Sequence, residues 1–139
     1  MAQGSRAAIS TGGPAIALGY APIDALHAEF DACVETLVDA PSERLPAALA
    51  ALRAHLLRHF GDEQRWMHEW RFPALACHQR EHDRVLDVLA EVERRFAGGD
   101  EGVVRRLAAE LPHWFALHAA TMDAALVAWL RAQAATAAP

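Results

Sequence analysis

Two pairs of side chains in this 139-residue chain have the spacing of metal ligands. His59 and Glu63 stand four residues apart, and so do His78 and His82. On an α-helix a step of four leaves two side chains about 40° apart, so each pair can aim two donors at one point. A metal ion is bound well by the nitrogen of neutral imidazole and by carboxylate oxygen. His27 and His118 add single imidazoles on other segments. His118 and Asp123 are five apart, about 140° on an ideal helix. That pair must straddle a site, or a locally widened turn must draw it together.

The elements that would position these groups are helices. Four segments show helical period and none shows strand-like alternation. The first is expected from about Pro22 to Asp39, with the seam Ile23, His27, Phe30, Val34, Leu37. The second follows Ser42, a residue type suited to an N-cap, and its seam is Leu45, Leu49, Leu52, Leu56, His59, Glu63, Trp66, Trp70. The third carries Leu75, His78, His82, Val85, Leu89, Val92 and Phe96 and ends at Gly98 and Gly99. The fourth runs from about Glu101 to Ala132 with Leu107, Leu111, Phe115, His118, Met122, Leu126 and Trp129. Pro112 is expected to kink it or divide it. Four amphipathic helices on short connections make an all-α, up-down-up-down antiparallel four-helix bundle. It spans residues 22–133, after an irregular N-terminal arm at 1–21 and before a flexible tail at 134–139.

His27, His59, Glu63, His78, His82 and His118 therefore all sit on seams meant for the core. A lone core histidine is usually hydrogen-bonded structure, and a single HxxxE or HxxxH usually marks a solvated face. Here the two pairs and two single histidines coincide on four separate seams. An unpaired buried polar group costs a few kcal/mol and a bare carboxylate costs more, so roughly that penalty multiplied over six residues would unfold a small core. A shared buried metal site satisfies them together. His55, one position off its seam beside Leu56, reads as a flanking or surface group, with a role as an outer partner of a ligand as the alternative. His68 and His113 read as exposed, Cys77 as a packed thiol, and Gly61 as a weak point that could admit a neighbouring backbone.

Composition narrows the function classes. A net charge of −5 argues against nucleic-acid binding. No apolar run reaches membrane-spanning length. The opening "MAQGSRAAIS" lacks the pattern of a secretory signal, and two cysteines make no disulfide framework, so a cytoplasmic location is expected. A solvated face on every helix points to a monomer.

The pieces "IDALH" (23–27), "HFGDE" (59–63), "HQREH" (78–82) and "HAATMD" (118–123) resemble a hemerythrin-like domain of the single-domain bacterial form. That family places a histidine on the first helix, HxxxE on the second, HxxxH on the third and HxxxxD on the fourth. All seven positions match in order, over roughly residues 16–132. The resemblance implies a non-haem di-iron centre: two iron ions with an oxo or hydroxo bridge. His78, His82 and His118 would hold one iron, His27 and His59 the other, and Glu63 and Asp123 would bridge them. The first iron is then closed and the second keeps an open position for dioxygen.

The implied chemistry is reversible, because five neutral imidazoles and two carboxylates favour high-valent iron less than a carboxylate-rich site does. The implied role is a non-enzymatic oxygen carrier, store or supplier. Oxygen or iron sensing through a partner is one alternative; protective chemistry on nitric oxide or peroxide, or iron handling, is another. Two positions depart from the family pattern. Phe115 stands where leucine is common, and Ala119 where a bulky aliphatic residue follows the fourth-helix histidine. Both are expected at the ligand pocket, where they bear on pocket size and oxidation.

Overall fold

The computed structural model describes residues 17–137. Helix α1 spans Ala21–Asp39, α2 Leu45–Glu69, α3 Leu75–Ala97 and α4 Glu101–His118. A π-helical turn at Ala119–Asp123 joins α4 to α5, Ala124–Ala137, so the fourth rod of the bundle is one long helix with a widened turn inside it. Each rod packs on the next, and the fourth returns to the first.

Local chemistry sets the ends. Pro22 lies in the first turn of α1, where its missing N–H costs nothing. The Asp24 carboxylate ties down the approach by accepting from the backbone N–H of Leu18 (2.8 Å) and Gly19 (3.1 Å). Thus residues 18–19 of the expected arm are held; residues 1–16 lie outside the described set. Ala40 turns extended before Pro41, as the residue preceding proline should. Ser42 begins a short 3₁₀ turn, Ser42–Arg44, instead of capping α2 with its side chain. Gly99, at φ +99°, supplies the left-handed residue after α3, and the Asp100 carboxylate caps α4 by accepting from Val103 N–H at 3.1 Å.

The helix continues through Pro112 without division. Ala108, Leu111 and Phe115 are buried around it, so tertiary packing outweighs the lost backbone bond. The irregularity falls instead at residues 119–123, where Thr121 Oγ1 donates to the Leu117 carbonyl at 2.7 Å. The rod also runs further than expected, remaining helical to Ala137 rather than fraying from residue 134.

The apolar core is in two parts. One cluster gathers Phe30, Leu52, Leu56, Phe60, Val85, Leu89, Leu111 and Phe115 with their neighbours. The other gathers Ile23, Met67, Phe72, Leu126, Val127 and Leu130, with Trp66, Trp70 and Trp129 packed against it. Trp129 satisfies its indole by donating to the Trp70 carbonyl at 2.7 Å. On α1 and α3 the polar core residues fall between the segments that feed these two clusters, as do Glu63 and Asp123, while His59 and His118 sit at the edge of the first cluster. His27 lies between Ile23 and Phe30; His78 and His82 lie between Leu75 and Val85. The interior is therefore a polar layer closed by apolar packing on both sides.

Candidate metal centre

All seven residues expected to ligate are buried: His27, His59, Glu63 and Asp123 at 0% exposure, and His78, His82 and His118 at no more than 4%. Donor atoms of Glu63, His78, His82, His118 and Asp123 all lie within 4.8 Å of one another, as do those of His27, His59 and Asp123. The two groups share Asp123. Its Oδ2 is 2.9 Å from His27 Nε2, while its Oδ1 is 3.0 Å from His78 Nε2 and 3.1 Å from His118 Nε2. Glu63 reaches the same two sides, with Oε2 2.8 Å from His59 Nε2 and Oε1 3.4 Å from His78 Nε2.

The π turn is what admits Asp123. A change from i→i+4 to i→i+5 bonding brings residues five apart onto one face. His118 and Asp123 then point into the same layer, which a regular helix would forbid. Of the two geometries open to this pair, the widened turn is the one adopted.

Side-chain direction supports a metal. Nε2 of His59 and of His78, both Glu63 oxygens and Asp123 Oδ1 are buried without a hydrogen-bond partner among the described residues. They approach one another closely but not along N–H···O lines. His82 Nε2 and His118 Nε2 meet at 3.2 Å. Leaving a buried carboxylate in this state costs several kcal/mol, roughly the penalty that a bound cation removes. The residues present thus fit a metal pair in number, donor type and burial.

The aromatic surroundings fix the rings. Phe60 stacks on His82 at 3.9 Å and 6°, and Trp114 stacks on His118 at 4.7 Å and 19°. Phe115 stacks on Phe30 at 4.0 Å and lies nearly perpendicular to the His27 ring at 4.9 Å. Its ring centroid is 5.9 Å from that of His59. Ala119 is buried in the same apolar cluster.

His55 corrects the sequence reading. It is 3% exposed rather than flanking, and its Nε2 lies 3.1 Å from His59 Nδ1. The signal was available, because His55 and His59 are themselves an HxxxH pair. Cys77 is exposed, with Arg80 Nη2 3.3 Å from its Sγ, so it is not a packed thiol. No atom lies within 4 Å of a Cβ built at Gly61, so no neighbouring backbone approaches it. His68 and His113 are exposed, as expected.

Electrostatics in the metal-free chain divide these groups. Burial and the neighbouring His59 push His55 down to about 4. Burial, reinforced by His78 and His118, also holds His82 far below the ordinary imidazole value. Burial opposes charging of His78, but the Asp123 and Glu63 carboxylates outweigh it and push His78 up to about 9. Burial likewise works against ionised Asp123, yet the surrounding imidazoles hold it well below the usual carboxylate range.

A pH dependence follows. Unfolded imidazoles protonate near about 6.5. Folded His55 and His82 resist protonation there, so the unfolded state binds more protons below that pH and stability falls with pH. His78 acts between its unfolded and raised folded values, above this window. The metal-free protein is expected to lose stability steadily from about pH 6.5 to about 4, read as a falling urea midpoint. A midpoint constant across that range would contradict the burial argument.

Comparison with known proteins agrees with this geometry. The family model for the hemerythrin HHE cation-binding domain matches residues 18–130. A bacteriohemerythrin from Ralstonia nicotianae is 45% identical over 116 residues, covering 84% of this chain and 85% of that protein. No solved structure gives a significant match. With the matched region spanning all four rods and every buried donor of the polar layer, the chain belongs to the hemerythrin family.

Proposed function

We propose that the chain binds dioxygen reversibly at a non-haem di-iron centre. His78, His82 and His118 would hold one iron and His27 and His59 the other, with Glu63, Asp123 and an oxo or hydroxo group between them. The observation that carries this reading is the sharing of Asp123 by two overlapping donor groups, one with three histidines and one with two. The side with fewer imidazoles is the side that keeps room for a small ligand. When bound, the iron pair would supply reversible two-electron redox chemistry toward dioxygen.

The chain's own contribution is restraint. Five imidazoles against two carboxylates keep the anionic donor count low. The apolar clusters on both sides of the layer exclude water, which in an open site would promote irreversible oxidation. Phe115, 6% exposed and stacked on Phe30, closes the two-histidine side. This tight packing favours storage or carriage over protective turnover, which a loose, wet pocket would suit. No helix among the described residues is long and apolar enough to cross a membrane. The proposed working form is a cytoplasmic monomer, since the buried stripes of the rods are used up within one bundle.

The test is spectroscopic. Iron-loaded, reduced protein given air is expected to develop a visible charge-transfer band that fades when oxygen is pumped away, through repeated cycles. A single irreversible bleaching or oxidation would replace this reading with protective redox chemistry. Metal analysis giving one zinc per chain would overturn the centre itself.

A further inference from the structure

We propose that His55 and Glu29 form an outer hydrogen-bond chain that fixes the tautomer of His59 and presents its Nε2 to the metal. The proposal rests on the di-iron reading above, because it treats His59 as a ligand. It starts from an asymmetry among the buried histidines. Nδ1 of His78 and Nδ1 of His118 have no hydrogen-bond partner among the described residues. His59 Nδ1 has one, since His55 Nε2 lies 3.1 Å away, one turn back on α2. The far nitrogen of that ring, His55 Nδ1, is 3.5 Å from Glu29 Oε2 on α1. Glu29 is half exposed, so the chain runs from the dry layer to the edge of the bundle. Phe30 packs beside the His55 ring at 6.2 Å between centroids.

The direction of the chain follows from donor and acceptor chemistry. A carboxylate only accepts, so in the proposed chain His55 Nδ1 carries the hydrogen that faces Glu29. The lone pair of neutral His55 is then on Nε2, which can only accept from His59 Nδ1–H. His59 Nε2 is left with its lone pair free, on the side where Glu63 Oε2 lies. The opposite direction would place a hydrogen on His59 Nε2 and block ligation. Arg58 bears on this choice. Its Nη2 pairs with the same Glu29 oxygen and also lies 3.5 Å from His55 Nδ1. A guanidinium only donates, so without Glu29 it would turn His55 Nδ1 into an acceptor and reverse the chain. Glu29 gathers both donors and prevents that reversal.

Outer partners of this kind orient a ligating imidazole and raise its basicity. A more basic His59 stabilises the higher oxidation state of the iron it holds, on the two-histidine side. His55 and Glu29 are therefore positioning residues for the metal.

The experiment compares iron-loaded wild type with His55→Leu, His55→Gln and Glu29→Ala. Readouts are iron per chain, the rate of iron loss to excess chelator, and the midpoint potential in a redox titration. His55→Leu is expected to lose iron roughly 10 to 100 times faster than wild type, the usual effect of removing such a partner, with a raised potential. Glu29→Ala, at a half-exposed position, is expected to shift both readouts in the same direction. His55→Gln should recover much of both, because its amide can accept from His59 and donate to Glu29. If wild type holds two irons while His55→Leu and Glu29→Ala match it in iron loss and potential, the positioning role is overturned and the di-iron reading stands. If His55→Gln is as defective as His55→Leu and Glu29→Ala matches wild type, His55 serves packing alone and the proposal also fails. A wild type that retains no iron removes the di-iron reading and this proposal with it.

Discussion

Asp123→Ala is expected to abolish the metal centre while leaving a weakened bundle. Asp123 is the one carboxylate common to both donor groups, and three imidazoles converge on its oxygens at 2.9 to 3.1 Å. Truncation removes a proposed bridging donor from both sides at once. Loss of an outer partner alone costs roughly 10- to 100-fold in metal affinity, so loss of a shared ligand should cost about a hundredfold or more. Iron per chain in the purified variant should fall to near zero, and the visible band formed in air should vanish. The metal-free protein should suffer too, because the imidazoles held against the carboxylate lose it. Removing one partner from a buried charged cluster costs about 3–5 kcal/mol, a large part of the about 5–15 kcal/mol that a domain of this kind has. Asp123→Asn separates the two effects. It keeps the shape and one acceptor oxygen, so more of the stability should survive while iron binding is still lost. A variant of either kind with wild-type iron content would show that Asp123 does not bridge.

Phe115→Ala carries the next largest effect. The ring is 6% exposed, stacked on Phe30 and set nearly perpendicular to the His27 ring. Emptying a buried phenylalanine position costs about 3–5 kcal/mol, part transfer energy and part cavity. The cavity would open beside the two-histidine side of the layer, where water would have direct access. Irreversible oxidation of the oxygenated protein is therefore expected to speed up by roughly tenfold or more, since exclusion of water is what suppresses that side reaction. Phe115→Leu retains most of the apolar volume and should give a smaller change in both quantities. Chemical denaturation gives the stability, and the decay of the visible band in air gives the oxidation rate. A destabilised Phe115→Ala protein that oxidises at the wild-type rate would place the ligand pocket elsewhere.

Most of the bundle was legible in the sequence because helical period is a local property. The seam Ile23, His27, Phe30, Val34, Leu37 is buried throughout, and so is the third-helix run His78, His82, Val85, Leu89, Val92. Gly99 marks the end of α3 because the turn there needs a residue at ease with positive φ. The HxxxE and HxxxH pairs were readable for the same reason: four-residue spacing on a helix means a common face. Pro112 shows the limit of local rules. Its missing N–H argues for a break, yet packing on Ala108, Leu111 and Phe115 keeps α4 continuous.

The fourth rod shows what the chain alone left open. An unbroken period runs from His118 to Met122 and Trp129, but the buried residues are Asp123, Leu126, Val127 and Leu130, while Met122 and Trp129 are only partly covered. One extra residue in the π turn shifts the phase, and it turns Asp123 inward. His55 escaped for a related reason: one step off its seam, it is covered only because Phe30 and Glu29 of α1 close over that side of α2. By itself the sequence determined four amphipathic helices and the donor types on their inner faces, since both follow from side-chain chemistry and a repeat of fixed angle. Only the tertiary structure decided that the fourth helix widens to admit Asp123 and that His59 gains an outer partner. Those outcomes depend on what neighbouring rods place opposite a residue, and no spacing within one segment contains that.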